Sequence, residues 1–388
     1  MSFEKLTSYL DSLEKEFGVP ACDCMVVHGH KTVFRHGAGF SDTGRTKPVS
    51  PNDLYHIYSA SKVITCTAVM QLLEQGRIAL TDTVDTYLPE FAEMRVLTEM
   101  PTPPMFLIPD DAKTVPAKNK ITIHNLMTMT SGLSYNTRSK EILELAEKTN
   151  GQATTREMIG AIARMPLVCE PGTRYVYSLS HDVLAAVVEV VSGMKFSQYL
   201  QTHIFAPLEI TDMYFHLTPP LTARLSAQYT GSFESKEIRP TQSINTYRLT
   251  ENYESGGAGL ACTVDAYATF VDALCNNGVG KNGNRILGKE SIDLMRKNHL
   301  TDQQLEDFKR GGKVGYGYGL GVRTLIDNEN AKSPIGEFGW DGAAGAYALI
   351  DPDNGLGIFY AQHILMFIDV YFKIHPTIRD LTYEALGL

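Results

Sequence analysis

The first forty residues change from a helical to a strand-like pattern of hydrophobic positions. Apolar side chains recur every three or four residues in the first stretch, at Phe3, Leu6, Leu10, Leu13 and Phe17. This spacing places them on one face and predicts an amphipathic helix. The following stretch, ACDCMVVHGHKTVFRHGAGFSD, alternates around a turn at residues 28–30, which predicts two antiparallel strands.

A second helix and a long loop are predicted next. Val63, Cys66, Met70 and Leu73 fall on one helical face, and Gly76 is a suitable C-terminal cap. These positions predict a one-sided helix over residues 62–75. Residues 100–120, MPTPPMFLIPDDAKTVPAKNK, are rich in proline and predict an irregular loop.

The rest of the chain is helical in its middle and strand-like toward its end. From about Ile121 to Leu208 the apolar positions keep a helical period. Strand patterns return in GYGYGLGVRTLI and GAYALIDPDNGLGIFYAQ, with a tight turn at residues 353–355, and a last helix covers roughly residues 366–386. Strands at both ends with helices between them predict an α+β fold, an antiparallel sheet with an inserted helical region.

Composition and charge exclude several classes of function. The chain has 388 residues, of which 43% are hydrophobic and 20% charged, and its formal net charge is −9. Nucleic acid is not expected as a partner, because binding it needs clustered Lys and Arg, and no basic run is present. No apolar run is long enough to cross a bilayer, and the N-terminal residues lack the apolar core of a signal peptide. A cytoplasmic protein is therefore expected.

The cysteines do not indicate a metal site. They form no CxxC pair and no histidine clusters with them in the sequence: Cys22, Cys24, Cys66, Cys169, Cys262 and Cys275. We therefore expect free thiols in a reducing cytoplasm, no bound metal and no cofactor.

The stretch YSASKVIT, residues 58–65, places Ser59 three residues before Lys62 at the head of the second predicted helix. Residues three apart share a helix face, so the hydroxyl and the amine lie within hydrogen-bond reach. A serine nucleophile needs a base, and a lysine serves when burial or a nearby cation lowers its pKa. The helix N-terminus adds free N–H groups that stabilise an oxyanion.

Taken alone, this motif has simpler explanations. S-x-x-K arises by chance in many proteins, and a serine at this position also caps a helix. Ser61 is a competing serine, but it is adjacent to Lys62 and not one turn away. Three further stretches bear on the choice: PGTRYVYSLSHDVLAAVVEVVSG (171–193), ESGGAGLACTVDAYATF (254–270) and FGWDGAAGAYALIDPDNGLGIFYAQ (338–362).

In this order, the stretches resemble the serine β-lactamase and penicillin-binding-protein superfamily, and they look most like its class C β-lactamase and family VIII carboxylesterase branch. The segments 73–91 and 121–133 also resemble that branch, so the likeness covers about residues 20–365. It implies a β-lactamase/transpeptidase-like fold as one catalytic unit over residues 1–388. The expected parts are a sheet subdomain, about 1–79 plus 215–388, and a helical subdomain, about 80–214, with the active site between them.

The resemblance also implies catalytic roles. Ser59 would be the acylated nucleophile, Lys62 lies beside it, and Tyr177 is similar to the tyrosine of the family's Y-x-N motif. A cationic lysine favours the phenolate, so the pair can shuttle one proton, and either member is a candidate base for Ser59. The oxyanion hole would use the backbone N–H groups of Ser59 and Ala343. Gly342 is small, as expected of a strand that a substrate approaches closely.

Two positions depart from the family's pattern. Leu179 stands where Y-x-N has asparagine and is, with Trp340 and Gly342, a candidate substrate-binding residue. Its side chain cannot hydrogen-bond to a substrate or to the lysine. The K-T-G position reads Trp340-Asp341-Gly342, so the lysine that helps to hold a substrate carboxylate is absent. Trp340 offers an apolar face and one N–H group instead, unless it only packs in the core. Asp341 is interpreted as a solvated turn residue without a catalytic role.

Other candidate groups explain less. His56, His124 and His181 are each interpreted as packed or exposed histidines, because the lysine and the tyrosine already supply a base. The glycine-rich residues 312–321 precede no helical pattern, so they predict a strand and not a nucleotide-binding loop.

Both departures at the site favour a neutral, more hydrophobic acyl group. The sequence therefore predicts a serine hydrolase that acts through an acyl-enzyme on Ser59, a carboxylic-ester hydrolase for a small-molecule substrate. One alternative is a β-lactamase, a D-amino-acid peptidase or an acyltransferase. Another is a non-catalytic descendant that only binds a ligand. The oligomeric state is left open.

Overall fold

The computed structural model describes residues 2–102, 108, 112–232 and 237–388. Within them the largest sheet has seven strands, all antiparallel, and every neighbouring pair is hydrogen-bonded. Its strands in spatial order are β10 (Tyr316–Tyr318), β11 (Arg323–Leu325), β12 (Phe338–Gly339), β13 (Tyr347–Asp351), β14 (Leu356–Ala361), β1 (Ala21–His28) and β2 (Lys31–Gly39). The predicted α+β class with an antiparallel sheet is confirmed.

Short strands outside this sheet form three small sheets in the described residues. Their members are β15 (Ile364–Leu365) with β7 (Gln228–Thr230) and β8 (Arg239–Thr241), β3 (Tyr55–His56) with β9 (Ala261–Cys262) and β6 (Met213–Tyr214), and β4 (Arg95–Leu97) with β5 (Thr114–Pro116). The α-helices are α1 (Glu4–Phe17), α2 (Ser61–Glu74), α3 (Ile123–Met127), α4 (Lys140–Lys148), α5 (Thr155–Ile162), α6 (Ser180–Ser192), α7 (Phe196–Leu200), α8 (Pro219–Thr222), α9 (Val264–Cys275), α10 (Lys289–Met295), α11 (Asp302–Lys309) and α12 (His375–Leu386).

The predicted hairpins pair as the alternation requires. Strands β1 and β2 run antiparallel from Ala21 opposite Gly39 to His28 opposite Lys31. Strands β13 and β14 pair in the same way, and Gly355 in their turn has φ 61°. A positive φ is sterically cheap for glycine, which is why this short turn accommodates it. The glycine-rich residues 312–321 contain β10 and no helix, as predicted.

Helices cover both faces of the sheet. The apolar stripe of α1, with Leu6, Leu10 and Leu13, packs in one cluster with Val26, Ile358 and Ile378 from β1, β14 and α12. The neighbouring residues Val27 and Phe359 belong to the other cluster, together with α9 and α2. Successive side chains of a strand point to opposite faces, so a strand buried on both sides supplies both cores. The sheet is therefore the middle layer of this part of the fold.

Helix α2 differs from its prediction. The sequence predicts a helix with one apolar face, but every residue from Ser61 to Leu72 is buried. Tyr267 on α9 donates from its hydroxyl to the Ala60 carbonyl at 2.7 Å, and Thr65 donates to the Gly256 carbonyl at 2.6 Å. Other elements therefore surround this helix and supply partners for some of its buried polar groups, although Gln71 Oε1 has none within the described residues.

The middle of the chain contains most of the predicted helices and a few strands. Helices α3 to α7 lie between residues 80 and 214, which also include the β4–β5 pair. Strand β5 falls in the proline-rich stretch that was predicted as a loop, and residues 103–107 and 109–111 of that stretch lie outside the described residues. The division into subdomains at about residues 80 and 214 stays a prediction.

Membrane spans were sought among the helices of the described residues. No single helix there is long and apolar enough to cross a membrane. One bent pair, Ser180–Ser192 with Phe196–Phe205, meets the criteria of length and composition together, with an angle of 74° between its parts.

Gly342 lies where the sheet touches the segment that leads into α2, and we predict that Gly342→Ala destabilises the protein. A Cβ atom there would lie 2.2 Å from the Ile57 carbonyl oxygen, so backbone has to move. Overpacking of this kind costs about 1–3 kcal/mol. The denaturation midpoint in urea, followed by the fluorescence of Trp340, measures the loss. Gly160→Ala is the matched control, because its Cβ would meet open space within α5. The control is expected to gain roughly 0.5 kcal/mol from helix propensity, and equal midpoints for the two variants would contradict the prediction.

Candidate functional site

The chain enters α2 through a tight turn that presents Ser59. Strand β3 is followed by a short 3-10 turn, Tyr58–Ala60, and α2 begins directly after it. Tyr58 has φ 46°, a left-handed conformation that a bulky residue adopts only when its surroundings hold it. Its hydroxyl donates to the Gln228 side chain at 3.0 Å, and the residue is fully buried. The turn is therefore fixed, and Ser59 lies half-buried at the helix start.

Lys62 points at Ser59 from one turn along the helix, as the spacing predicts. Its Nζ lies 3.2 Å from Ser59 Oγ, 2.7 Å from the Gly257 carbonyl oxygen and 3.4 Å from the Tyr135 hydroxyl. The side chain is completely buried. Burial lowers the pKa of Lys62 to about 7, against the opposing influence of Asp182 and Cys66. A large fraction of this amine is therefore neutral near pH 7 and able to accept a proton.

Tyr177 completes the cluster from the loop before α6. Its hydroxyl accepts from Trp340 Nε1 at 3.2 Å and lies close enough to the Ser59 side chain for that hydroxyl to lower its pKa. Its ring stacks between Tyr135 and Trp340, with centroid distances of 5.4 and 5.7 Å. Burial raises the pKa of Tyr177, which the hydrogen bonds from its neighbours offset only in part. The phenol is therefore protonated at neutral pH.

The buried side chain of Asp182 holds the loop that contacts Lys62. Asp182 on α6 accepts hydrogen bonds from the hydroxyls of Tyr253 and Ser255, both at 2.6 Å, and from the Gly257 N–H at 3.4 Å. A Cβ atom at Gly257 would lie 2.6 Å from the Asp182 carboxylate and 3.3 Å from Lys62 Nζ. Only glycine fits this position without displacing the lysine, so the glycine-rich loop delivers its carbonyl to Lys62.

Trp340, Gly342 and Ala343 line the same cavity as Ser59 and Tyr177, and its volume is about 500 Å³. The Gly342 N–H donates to the Ala346 carbonyl at 2.8 Å. For the N–H groups of Ser59 and Ala343, no acceptor is found among the described residues. Both residues line the cavity, so the oxyanion hole predicted from them stays a prediction that this geometry allows.

The structure places Leu179 and Asp341 differently from the sequence-based expectation. Leu179 is 2% exposed, packs in the core and does not line the cavity, because it begins the buried helix α6. Asp341 is not a solvated turn residue: it is 6% exposed and paired with Arg323 and Lys313. Burial opposes its ionisation, but the two cations outweigh burial and hold the pKa of Asp341 well below its usual range.

The cavity also contains residues that the sequence did not single out. Tyr135 and Tyr247 belong to its walls, and so do Lys313 and five residues after β15: Met366, Phe367, Ile368, Tyr371 and Phe372. Tyr135 follows the TSGL segment at 130–133 by two residues, so its place in that segment was the available signal. For Lys313 and the segment after β15 no local signal exists, because only the sheet brings them to the Ser59 turn.

The alternative histidines do not line this cavity. His56 is 8% exposed and stacks near His363, and burial lowers the pKa of His56 to about 4. His181 is buried against Cys66, and His124 packs against His299. All three are packed side chains, as the sequence analysis interprets them.

Known proteins resemble this chain over most of its length. The Beta-lactamase family model matches residues 8–365. Lovastatin esterase of Penicillium rubens is 30% identical over 349 residues, which cover 83% of each chain. Monacolin J acid methylbutanoyltransferase of Aspergillus terreus is 28% identical over 375 residues, 91% of this chain and 84% of that protein.

The fold is shared with a solved enzyme structure. EstCE1, described as a hydrolase with promiscuous acyltransferase activity, superposes with a TM-score of 0.78 at 22% identity, over 98% of each chain. This likeness confirms the β-lactamase/transpeptidase-like fold that the sequence predicts. Because the family model covers nearly the whole chain, the predicted resemblance is also confirmed, and the chain belongs to the Beta-lactamase family.

Proposed function

We propose that the protein is a carboxylic-ester hydrolase that transfers a neutral acyl group to Ser59 and then to water. The observation that carries this proposal is the contact between a completely buried Lys62 amine and Ser59 Oγ at 3.2 Å. Serine-dependent hydrolysis or acyl transfer is also the chemistry that the family membership and the esterase and acyltransferase relatives support.

The proton of Ser59 goes to Lys62 in this proposal. Burial favours the neutral amine, so Lys62 accepts the proton as Ser59 Oγ attacks the ester carbonyl. The resulting oxyanion accepts hydrogen bonds from the N–H groups of Ser59 and Ala343. The C–O bond to the alcohol then breaks, and the proton held by Lys62 returns to the leaving oxygen. The Tyr177 hydroxyl is a candidate for that route, because Tyr177 and Ser59 line the same cavity and the Ser59 side chain lowers the pKa of Tyr177.

Release of the acyl group repeats the same steps with water. Water replaces the alcohol, gives a proton to Lys62 and attacks the acyl carbonyl, and Ser59 recovers its proton when the acid leaves. Tyr135 and the Gly257 carbonyl keep Lys62 in place through both steps. A positioned base of this kind contributes about 10²–10⁴-fold to the rate.

The walls of the cavity support a neutral acyl group. The indole N–H of Trp340 is committed to the Tyr177 oxygen, so this position offers a substrate mainly its ring face. Tyr135, Tyr177 and Tyr247 add further aromatic surface around Ser59. An aromatic surface of this type stabilises apolar groups by burial and offers no opposite charge of its own to a charged acyl group.

An acyltransferase is the second candidate. The relative from Aspergillus terreus is named for methylbutanoyl transfer, and EstCE1 combines hydrolysis with acyl transfer. Both activities share the acyl-enzyme and differ only in whether water or another hydroxyl accepts the acyl group. Product analysis with an added alcohol separates them: a new ester indicates transfer, and free acid alone indicates hydrolysis.

The first prediction concerns covalent labelling. A fluorophosphonate is expected to form one adduct, on Ser59, and the adduct should be absent in Ser59→Ala and slowed by at least tenfold in Lys62→Met. Intact mass and peptide mapping measure it. Ser61→Ala is the matched control and should label normally, because Ser61 accepts from the Leu260 N–H and faces away from the cavity lining. A folded protein without any adduct would favour the non-catalytic binding protein.

The second prediction concerns pH. Lys62 acts as a base only when neutral, and burial places its pKa at about 7. For an uncharged ester, kcat/KM should therefore fall about tenfold per pH unit below this value and level off above it. The measurement is a profile between pH 5 and 9 on a butanoate ester. Activity that declines above pH 7 would instead require a cationic Lys62 with Tyr177 as the base.

The third prediction separates ester from β-lactam substrates. We expect turnover of p-nitrophenyl butanoate and at least a hundredfold lower kcat/KM on nitrocefin, because Leu179 replaces the asparagine that would hydrogen-bond to the amide side chain of the lactam. Tyr177→Phe should reduce ester turnover by about 10² or more. Tyr175→Phe, outside the cavity and packed on Phe308, is the control that should not. Equal rates on both substrates would restore the β-lactamase alternative.

A further inference from the structure

Lys313 reaches the cavity of Ser59 from the loop before β10. It lines the same space as Ser59, Trp340 and Ala343. Among the lining residues only Lys313 and Asp341 carry a charged side chain. The side chain of Lys313 is 21% exposed, whereas that of Asp341 is 6% exposed. The cation is therefore the more accessible of the two charges, in a cavity whose other walls are aromatic or apolar.

Asp341 does not need Lys313 to be neutralised. Its Oδ1 accepts from Arg323 Nη1 at 2.9 Å, and the Arg323 side chain is only 2% exposed. Arg323 also donates to the Ala348 carbonyl at 2.9 Å, which fixes the guanidinium in the sheet. Glu337 lies near Arg323 as well, but it is completely buried, accepts a hydrogen bond from the Tyr316 hydroxyl and does not line the cavity. Two cations thus share one ionised carboxylate.

Lys313 also has hydrogen-bond donors to spare. An ammonium carries three N–H groups. One of them goes to Asp341 Oδ2, and no other hydrogen bond of Lys313 is found within the described part of the chain. The rings of Trp340 and Tyr371 flank the ammonium, with centroids at 5.9 and 5.7 Å. The free donors therefore face a cavity that is otherwise poor in acceptors.

We propose that Lys313 binds a carboxylate on the alcohol half of the ester substrate and selects carboxylate-bearing alcohols over neutral ones. The inference rests on the proposed function, in which the acyl half is neutral. A carboxylate brings one negative charge to the one accessible ammonium of the cavity lining, whereas a phosphate dianion brings two. Lys313 thereby supplies, from the loop before β10, the cation that position 340 lacks.

The test compares two esters that differ only in this charge. The substrates are the butanoate esters of 3-hydroxyphenylacetic acid and of its amide, 3-hydroxyphenylacetamide. Wild-type protein should prefer the carboxylate by about tenfold or more in kcat/KM, the size of one charge-assisted hydrogen bond, and the preference should appear in KM. Lys313→Met should abolish the preference, and Lys313→Arg should restore part of it. A preference that survives Lys313→Met, or no preference in the wild type, overturns the proposal.

Two controls separate this proposal from others. Lys309→Met removes an exposed lysine that pairs with Glu306, and it should keep the full preference. Calorimetric binding of 3-hydroxyphenylacetate to wild type and to Lys313→Met needs no turnover. If wild type binds this carboxylate more tightly than Lys313→Met but hydrolyses no ester, the carboxylate site at Lys313 is supported and the proposed esterase function is refuted. If both proteins bind it equally and hydrolyse esters normally, the carboxylate site is refuted and the esterase function stands. The Lys313 variants should keep the ion pair between Arg323 and Asp341, because this contact does not involve residue 313.

Discussion

The buried amine of Lys62 is the interaction on which the site depends. A buried amine needs hydrogen-bond partners within the protein. Those of Lys62 are the Ser59 hydroxyl, the Gly257 carbonyl and the Tyr135 hydroxyl. These partners come from distant parts of the chain, so the amine holds several segments to the helix start. The same burial lowers the pKa of Lys62 to about 7. One desolvated group thus both assembles the site and sets its chemistry.

A second ionic cluster holds the opposite wall. The Arg323 guanidinium is almost fully buried in the sheet and binds Asp341 next to Trp340. A buried pair of this kind is weak evidence for stability, but losing one partner would leave a charge without compensation. The segment between β12 and β13 that carries Trp340, Gly342 and Ala343 is therefore tied to the sheet at the point where a substrate would meet it, although the structure does not make it a strand.

Aromatic contacts connect the two walls. Tyr58 packs edge-on against Tyr247, Tyr247 against Tyr135, and Tyr135 stacks on Tyr177, which stacks on Trp340. This series surrounds the serine with apolar surface and leaves few polar atoms near it. Low polarity strengthens each remaining hydrogen bond, including those at Ser59. The apolar surface around Ser59 also suits a neutral acyl group. The accessible charge of the cavity lies apart from it, at Lys313.

The sequence alone determined the local elements and the central motif. Alternation predicts the β1–β2 and β13–β14 hairpins, helical spacing predicts α1, and the separation of Ser59 from Lys62 predicts their contact, since each depends on residues near one another in the chain. Tertiary structure decided the rest. The pattern of α2 shows one apolar face, but packing buries the whole helix. The sequence predicts Asp341 as a solvated turn residue, but it is buried and paired with Arg323. Leu179 lies in the core although it follows Tyr177 by only two residues. Lys313 joins the cavity through the sheet, and because such contacts link residues far apart in the chain, no local pattern encodes them.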